Sequence, residues 1–110
     1  MMDKYKIIIT PTAIENIKTI AFYISKELCN YIAANNFLNS IKNKIKELEL
    51  FPFSHPLVDN IKIKIKGLRK QKYKSFIIYF VINDIKKEIQ VLAVIYEKRD
   101  QLLEISKFDF

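Results

Sequence analysis

Two stretches in the C-terminal half, "FIIYFVI" at 76–82 and "IQVLAVIY" at 89–96, are apolar on both faces. Successive side chains of a strand point to opposite faces, so a strand with one wet side alternates apolar and polar residues. Here Phe76, Ile78 and Phe80 on one side are answered by Ile77, Tyr79 and Val81 on the other. Such strands belong in the middle of a sheet covered on both sides. The "INDIKKE" between them reads as a tight turn, so strands 73–82 and 88–96 form a hairpin. Two layers are therefore needed against this hairpin.

One layer is visible upstream. Ile14, Ile17, Ala21, Ile24 and Leu28 recur at helical spacing, as do Ala34, Leu38, Ile41, Ile45 and Leu48. Thr10 before Pro11 suits an N-cap followed by the first helical residue, and Thr12 with Glu15 offers a capping box as a competing start. "CNY" interrupts the pattern, which predicts two helices packed as an antiparallel hairpin. "YKIII" reads as a short strand before them. "FPFSHPLVDN" at 51–60 is a loop, because Pro52 and Pro56 cannot continue a helix interior. The second layer is not visible in the same way. Either "QLLEISKFDF" at 101–110 folds over the remaining apolar face, or another chain covers it.

These elements predict an α+β fold. An N-terminal strand and an antiparallel helical hairpin precede a three-stranded meander, in one mainly antiparallel sheet with helices on one face. With 110 residues and no linker or internal repeat, residues 1–110 read as one domain. The lone Cys29 cannot form an internal disulfide and reads as a reduced thiol at a helix end. No secretory signal is visible at the N-terminus, and the apolar runs are far shorter than a membrane span needs. The expectation is a soluble cytoplasmic protein with no membrane partner.

Charge is distributed unevenly. The net charge is +7, and positions 61–74 alone hold seven basic residues and no acid. Within them "IKIKIKGLRK" alternates isoleucine and lysine, which predicts a strand over 61–68 with one buried side and one cationic side. A local basic patch is the footprint of an anionic partner, either nucleic acid or acidic protein; lysines on an edge strand also discourage edge-to-edge pairing.

Conventional chemistry has little footing. Gly67 is the only glycine, so there is no phosphate-cradling loop. No His, Cys or carboxylate cluster has metal-ligand spacing, and no nucleophile–base pair is suggested. No cofactor or metal is expected. His55 lies between two prolines without a partner group and reads as a loop surface histidine. In a lysine-saturated chain the only two arginines, Arg69 and Arg99, are informative, since a guanidinium's planar fork suits bidentate contacts to phosphate or carboxylate.

The order of strand, helical hairpin, Phe-Pro loop and meander resembles the RelE/ParE toxin superfamily of bacterial toxin–antitoxin modules. "TPTAIENIKTIAFYI" resembles its opening and first helix, and "AANNFLNSIKNKIKELELFP" its second helix with the terminal Phe-Pro. "GLRK", "FIIYFV" and "IQVLAVIYEKRD" resemble the closing meander and its basic end. The likeness spans residues 5–105.

The resemblance implies two candidate activities. RelE-like members cut mRNA at the ribosome with basic residues and a tyrosine. ParE-like members, plasmid-stabilisation toxins, lack that set and poison DNA gyrase. Arg69 occupies the Gly-Leu-Arg position of ParE-like chains, and Arg99 matches the basic residue after the last strand. The nuclease members' strand arginine falls at Phe76 here, and their downstream tyrosine at Ile105. The resemblance thus implies a ParE-like, non-hydrolytic toxin that inhibits gyrase and is neutralised by an antitoxin whose acidic segment folds onto the sheet. The residues expected to meet target or antitoxin are Lys62, Lys64, Lys66, Arg69, Lys70, Tyr79, Tyr96 and Arg99. The alternatives are an mRNA endoribonuclease using Lys64, Lys66, Arg69 and Arg99 as positive charge for the transition state, and a non-toxic basic binding module.

Overall fold

The computed structural model describes residues 4–58 and 65–108. Strand β1 (Lys6–Ile9) leads into helix α1 (Pro11–Lys26) and helix α2 (Tyr31–Lys46). Two short 3-10 turns, Glu47–Glu49 and Pro52–Ser54, follow. Strands β2 (Arg69–Tyr73), β3 (Phe76–Asn83) and β4 (Glu88–Tyr96) then form the meander, and helix α3 (Gln101–Ser106) ends it. The sheet order is β1-β4-β3-β2, with β1 parallel to β4 and the other pairs antiparallel. The two strands that are apolar on both faces are thus the two central ones.

Thr10 decides where α1 starts. Its hydroxyl accepts from the Ala13 amide at 3.3 Å, with Pro11 at the first helical position. The same hydroxyl lies 2.9 Å from the Val91 carbonyl and 3.2 Å from that of Leu92. Those carbonyls sit at a bulge, where the pairing steps from Phe80–Val91 to Tyr79–Ala93 and leaves Leu92 as the extra residue. A bulge shifts the alternation by one residue. Val91 and Val94 face the helices as a result, while Leu92, Ala93 and Ile95 face the other way.

The helix face is closed by the hairpin, with Ala13, Phe37, Ile41, Ile45 and Leu48 packed on Ile78, Phe80, Ile89, Val91 and Val94. Ile17, Ala21, Ile24, Ala34, Ile41, Ile45 and Leu48 lie on or against this core as their spacing predicts, whereas Ile14, Leu28 and Leu38 stay exposed. Leu28 lies past the end of α1, and Phe37 takes the place expected for Leu38 because its larger ring reaches Phe76, centroids 5.2 Å apart.

The opposite face is closed by the chain's own C-terminal segment. Ile105 of α3 and Phe108 pack on Leu68, Tyr79, Leu92, Ala93 and Ile95. Of the two alternatives for this face, the internal one is realised.

The first meander strand is corrected. Positions 61–64 lie outside the described residues, and Ile65, Lys66 and Gly67 form a bend and turn, with Gly67 at φ 75°. The strand is "RKQKY" instead, paired along its length to β3, with a single further bridge from Arg69 to Leu57. Tyr73 therefore belongs to β2, and Lys74, at φ 52°, makes the turn into β3. The alternation is there in another guise. Arg69, Gln71 and Tyr73 stand beside Phe80, Ile78 and Phe76 on the helix face, and Lys70 and Lys72 beside Tyr79 and Ile77.

Candidate functional site

The basic residues concentrate on β2, the edge of the sheet. Arg69 opens the strand, and its register places it among groups of the preceding loop. One guanidinium nitrogen donates to the His55 carbonyl at 2.6 Å and approaches that of Phe53 at 3.4 Å. The guanidinium carbon lies 5.1 Å from the centre of the Phe53 ring. Leu57 bridges to Arg69, the Val58 amide donates to Leu68 O at 2.8 Å, and the Lys70 amide to Pro56 O at 3.1 Å. Arg69 thus clamps the 53–58 segment to the sheet edge, and no carboxylate among the described residues neutralises it.

Beside this clamp lies a groove of about 480 Å³ lined by Lys44, His55, Pro56, Lys70, Gln71, Lys72 and Ile77. Helix α2 supplies Lys44, which pairs with Glu47 at 3.3 Å and sits 5.9 Å from the Tyr73 ring centre. Lys72 pairs with Glu97 at 3.0 Å. Lys70 has no ion pair among the described residues. His55 is half-buried with its ring edge-on to Phe80. Burial, then the neighbouring Lys44 and Arg69 charges, hold its imidazole below the ordinary histidine range, with Glu47 opposing. The groove is therefore electropositive around a neutral histidine. Gln71 is 6% exposed and its side-chain oxygen has no hydrogen-bond partner.

The other expected site residues scatter. Lys66 is exposed in the turn before β2, and Lys62 and Lys64 lie outside the described residues. Tyr79 is 2% exposed, its ring against Phe108 and its hydroxyl donating to Gln101 at 2.6 Å. Burial pushes its phenol up to about 12. A partner can touch Tyr79 only where the tail has lifted. Tyr96 is part-exposed at the end of β4, its ring 5.9 Å from that of Phe76. Arg99 is exposed in the turn before α3, and its guanidinium has no partner among the described residues.

Sequence reasoning missed three contributors. Gln101 ties the tail down, its amide nitrogen donating to the carbonyls of Tyr96, Glu97 and Arg99. Its position just after Asp100, which caps α3 through the Leu103 amide, was the available signal. Lys44 and His55 join the site only through tertiary packing. Chemically the clustered cations suit the attraction of an anionic group. No hydroxyl or thiol among the described residues hydrogen-bonds to His55, and no group of three or more His, Cys, Asp or Glu among them could hold a metal. No helix among them is long and apolar enough to cross a membrane.

Comparison with solved structures finds the same fold at low identity. A chain of the chromosomal ParDE toxin–antitoxin system from P. aeruginosa superposes with a TM-score of 0.69 at 18% identity, covering 84% of this chain and 96% of that one. A chain of the RelBE2 toxin–antitoxin complex from Mycobacterium tuberculosis gives 0.63 at 12% identity, covering 87% and 94%. No curated protein matches the sequence. The family described as "ParE toxin of type II toxin-antitoxin system, parDE" matches residues 7–101, nearly the whole chain. The chain belongs to the ParE toxin family of the RelE/ParE superfamily.

Proposed function

We propose that this ParE-family toxin stops growth by inhibiting DNA gyrase without cleaving nucleic acid, and that a cognate antitoxin restrains it by laying an acidic segment along the β2 groove. The observation that carries the non-hydrolytic half is what fills the two positions where nuclease members of the superfamily place an arginine and a tyrosine. Phe76 packs against Phe37 on the helix face, and Ile105 is 6% exposed where α3 packs on the sheet. Both positions are packed with hydrocarbon, so Arg69, Arg99 and the lysines have no partners for phosphodiester chemistry.

The antitoxin half rests on charge. Lys44, Lys70 and Lys72 converge from two elements on one groove beside the uncompensated Arg69. An acidic segment there neutralises charges that the toxin leaves exposed, and steers association as it does so. The closed tail face moves this reading from the sheet's flat side to its edge.

The test uses purified toxin. Gyrase supercoiling should fall and cleaved-DNA complexes accumulate, while mRNA on translating ribosomes stays intact. Unchanged supercoiling removes gyrase as the target. Codon-positioned cuts that vanish in Arg69→Ala replace this reading with the nuclease one.

A further inference from the structure

The segment that walls the lysine groove also walls a second concavity. His55 and Pro56 line the groove, and Pro52, Phe53 and Ser54 line a pocket of about 320 Å³ completed by Tyr5, Leu50, Phe51 and Lys87. This pocket is aromatic where the groove is cationic. Phe51 is 58% exposed and Phe53 51% exposed, far more than packing alone calls for. Cations and rings alternate along it. Lys87 lies 5.3 Å from the Tyr5 ring centre, Tyr5 meets Phe53 edge-on at 6.2 Å, and Arg69 lies 5.1 Å from Phe53. Phe51 makes no ring or cation contact among these, so its face is open.

We propose that this pocket and the adjoining groove together bind single-stranded nucleic acid, with a base stacked on Phe51 and the following phosphates on Arg69 and Lys70. Sequence-tolerant binders of single strands combine these two parts, an aromatic platform for bases and a basic track for the backbone. The two parts here share one wall, so a single strand can occupy both without leaving the surface. The charges along the way are free to engage. Arg69 and Lys70 have no carboxylate partner among the described residues. Among the described residues Lys44, Lys72 and Lys87 pair with the exposed or part-exposed Glu47, Glu97 and Asp84, and exposed pairs of this kind contribute little and exchange readily. An acidic peptide would satisfy the groove equally well, but it has no use for cations seated beside rings. That interleaving is what favours a nucleotide chain.

The experiment is fluorescence anisotropy of the full chain with three labelled strands of twelve nucleotides: oligothymidylate, oligouridylate, and an abasic strand of equal charge. Both base-bearing strands should bind about tenfold or more tighter than the abasic one at low salt, each with an affinity that falls as salt rises. Equal binding of DNA and RNA is expected, because stacking does not read the sugar. Phe51→Ala should lose about tenfold for the base-bearing strands and nothing for the abasic one, and Phe51→Tyr should restore the loss. Overlaid circular-dichroism melts check that the variants fold, and the three-strand comparison on the unaltered chain needs no variant at all. Equal affinity for all three strands, or Phe51→Ala binding like the parent, overturns the proposal. A glutamate-rich peptide that binds while the base-bearing strands bind no tighter than the abasic one overturns this proposal and leaves the antitoxin reading of the groove standing.

Discussion

Tyr79 gives the sharpest quantitative test of the closed tail face. Its phenol lies under Phe108 and donates to Gln101, and burial raises it from the ordinary 10.0 to about 12. A raised phenol stays protonated in the folded chain after it has ionised in the unfolded one. The unfolded state then holds fewer protons, so stability falls as pH rises. The contribution is whole below pH 10 and lost progressively as pH climbs through 12. At 1.36 kcal/mol per unit, a rise of two units corresponds to about 3 kcal/mol of alkaline destabilisation. Urea unfolding followed by far-ultraviolet circular dichroism, at pH steps from 8 upward, measures it. Other groups titrate in the same range. They include Tyr5, raised chiefly by its hydrogen bond to Asp84. The quantity to read is therefore the difference between the parent and Tyr79→Phe. At pH 8 the variant should be less stable by about 1 kcal/mol, the net worth of one hydrogen bond. Above pH 10 the order should reverse as the parent loses stability and the variant does not. A difference that stays constant across the range means the tail does not bury Tyr79 in solution, and the two-sided core described above is wrong.

Three further outcomes follow from the basic edge. Arg69→Lys keeps the charge but loses the planar fork over Phe53 and the two carbonyl contacts, so the chain should lose about 1–3 kcal/mol, with faster exchange of the Val58 amide; an unchanged melt refutes the clamp. His55, the only histidine, should titrate below 6.5 by proton NMR, and Lys44→Gln should move it upward. Because its folded value is lowered, its stabilising contribution holds above the ordinary histidine range and is lost as pH falls through the folded value. Lys70→Glu should slow association with the cognate antitoxin about tenfold at low ionic strength and flatten the salt dependence. An unaltered association rate would place the acidic segment elsewhere.

The element order was legible in the sequence because long apolar patterns carry it. Helices α1 and α2 show the helical period, strands β3 and β4 show as continuous apolar runs, and the cap at Thr10 is a local signal. The meander's first strand was misplaced for a physical reason. The "IKIKIK" run has the stronger alternation, but β2 is an edge strand whose helix-side positions are Arg69, Gln71 and Tyr73. Their burial comes from neighbours, Phe53 over the guanidinium and Lys44 by Tyr73, rather than from their own hydrophobicity. The closing of the second face was open in the sequence because six residues of α3 are too few to establish a period. The site was legible only as charge. Which lysines share a groove depends on how α2 and the 53–58 segment meet the edge, and spacing along the chain does not contain that.

Phe76 and Ile105 tie the fold to the function. Phe76 packs against one core and Ile105 lies in the other, on opposite faces of the sheet, at the positions where the resemblance to nuclease members implies an arginine and a tyrosine. Restoring that pair should therefore restore nothing. Phe76→Arg replaces a part-buried ring packed on Phe37 with a guanidinium, at about 1–3 kcal/mol. Ile105→Tyr forces a larger ring between Tyr79 and Leu92, at about 1–3 kcal/mol of overpacking. The two sites share no buried partner, so the losses should add. The sum is a large fraction of the stability of an ordinary domain. The double variant should melt far below the parent and leave ribosome-bound message uncut. A folded double variant that cuts message would show that these positions are a dismantled active site held open rather than core, and would move the chain to the nuclease branch.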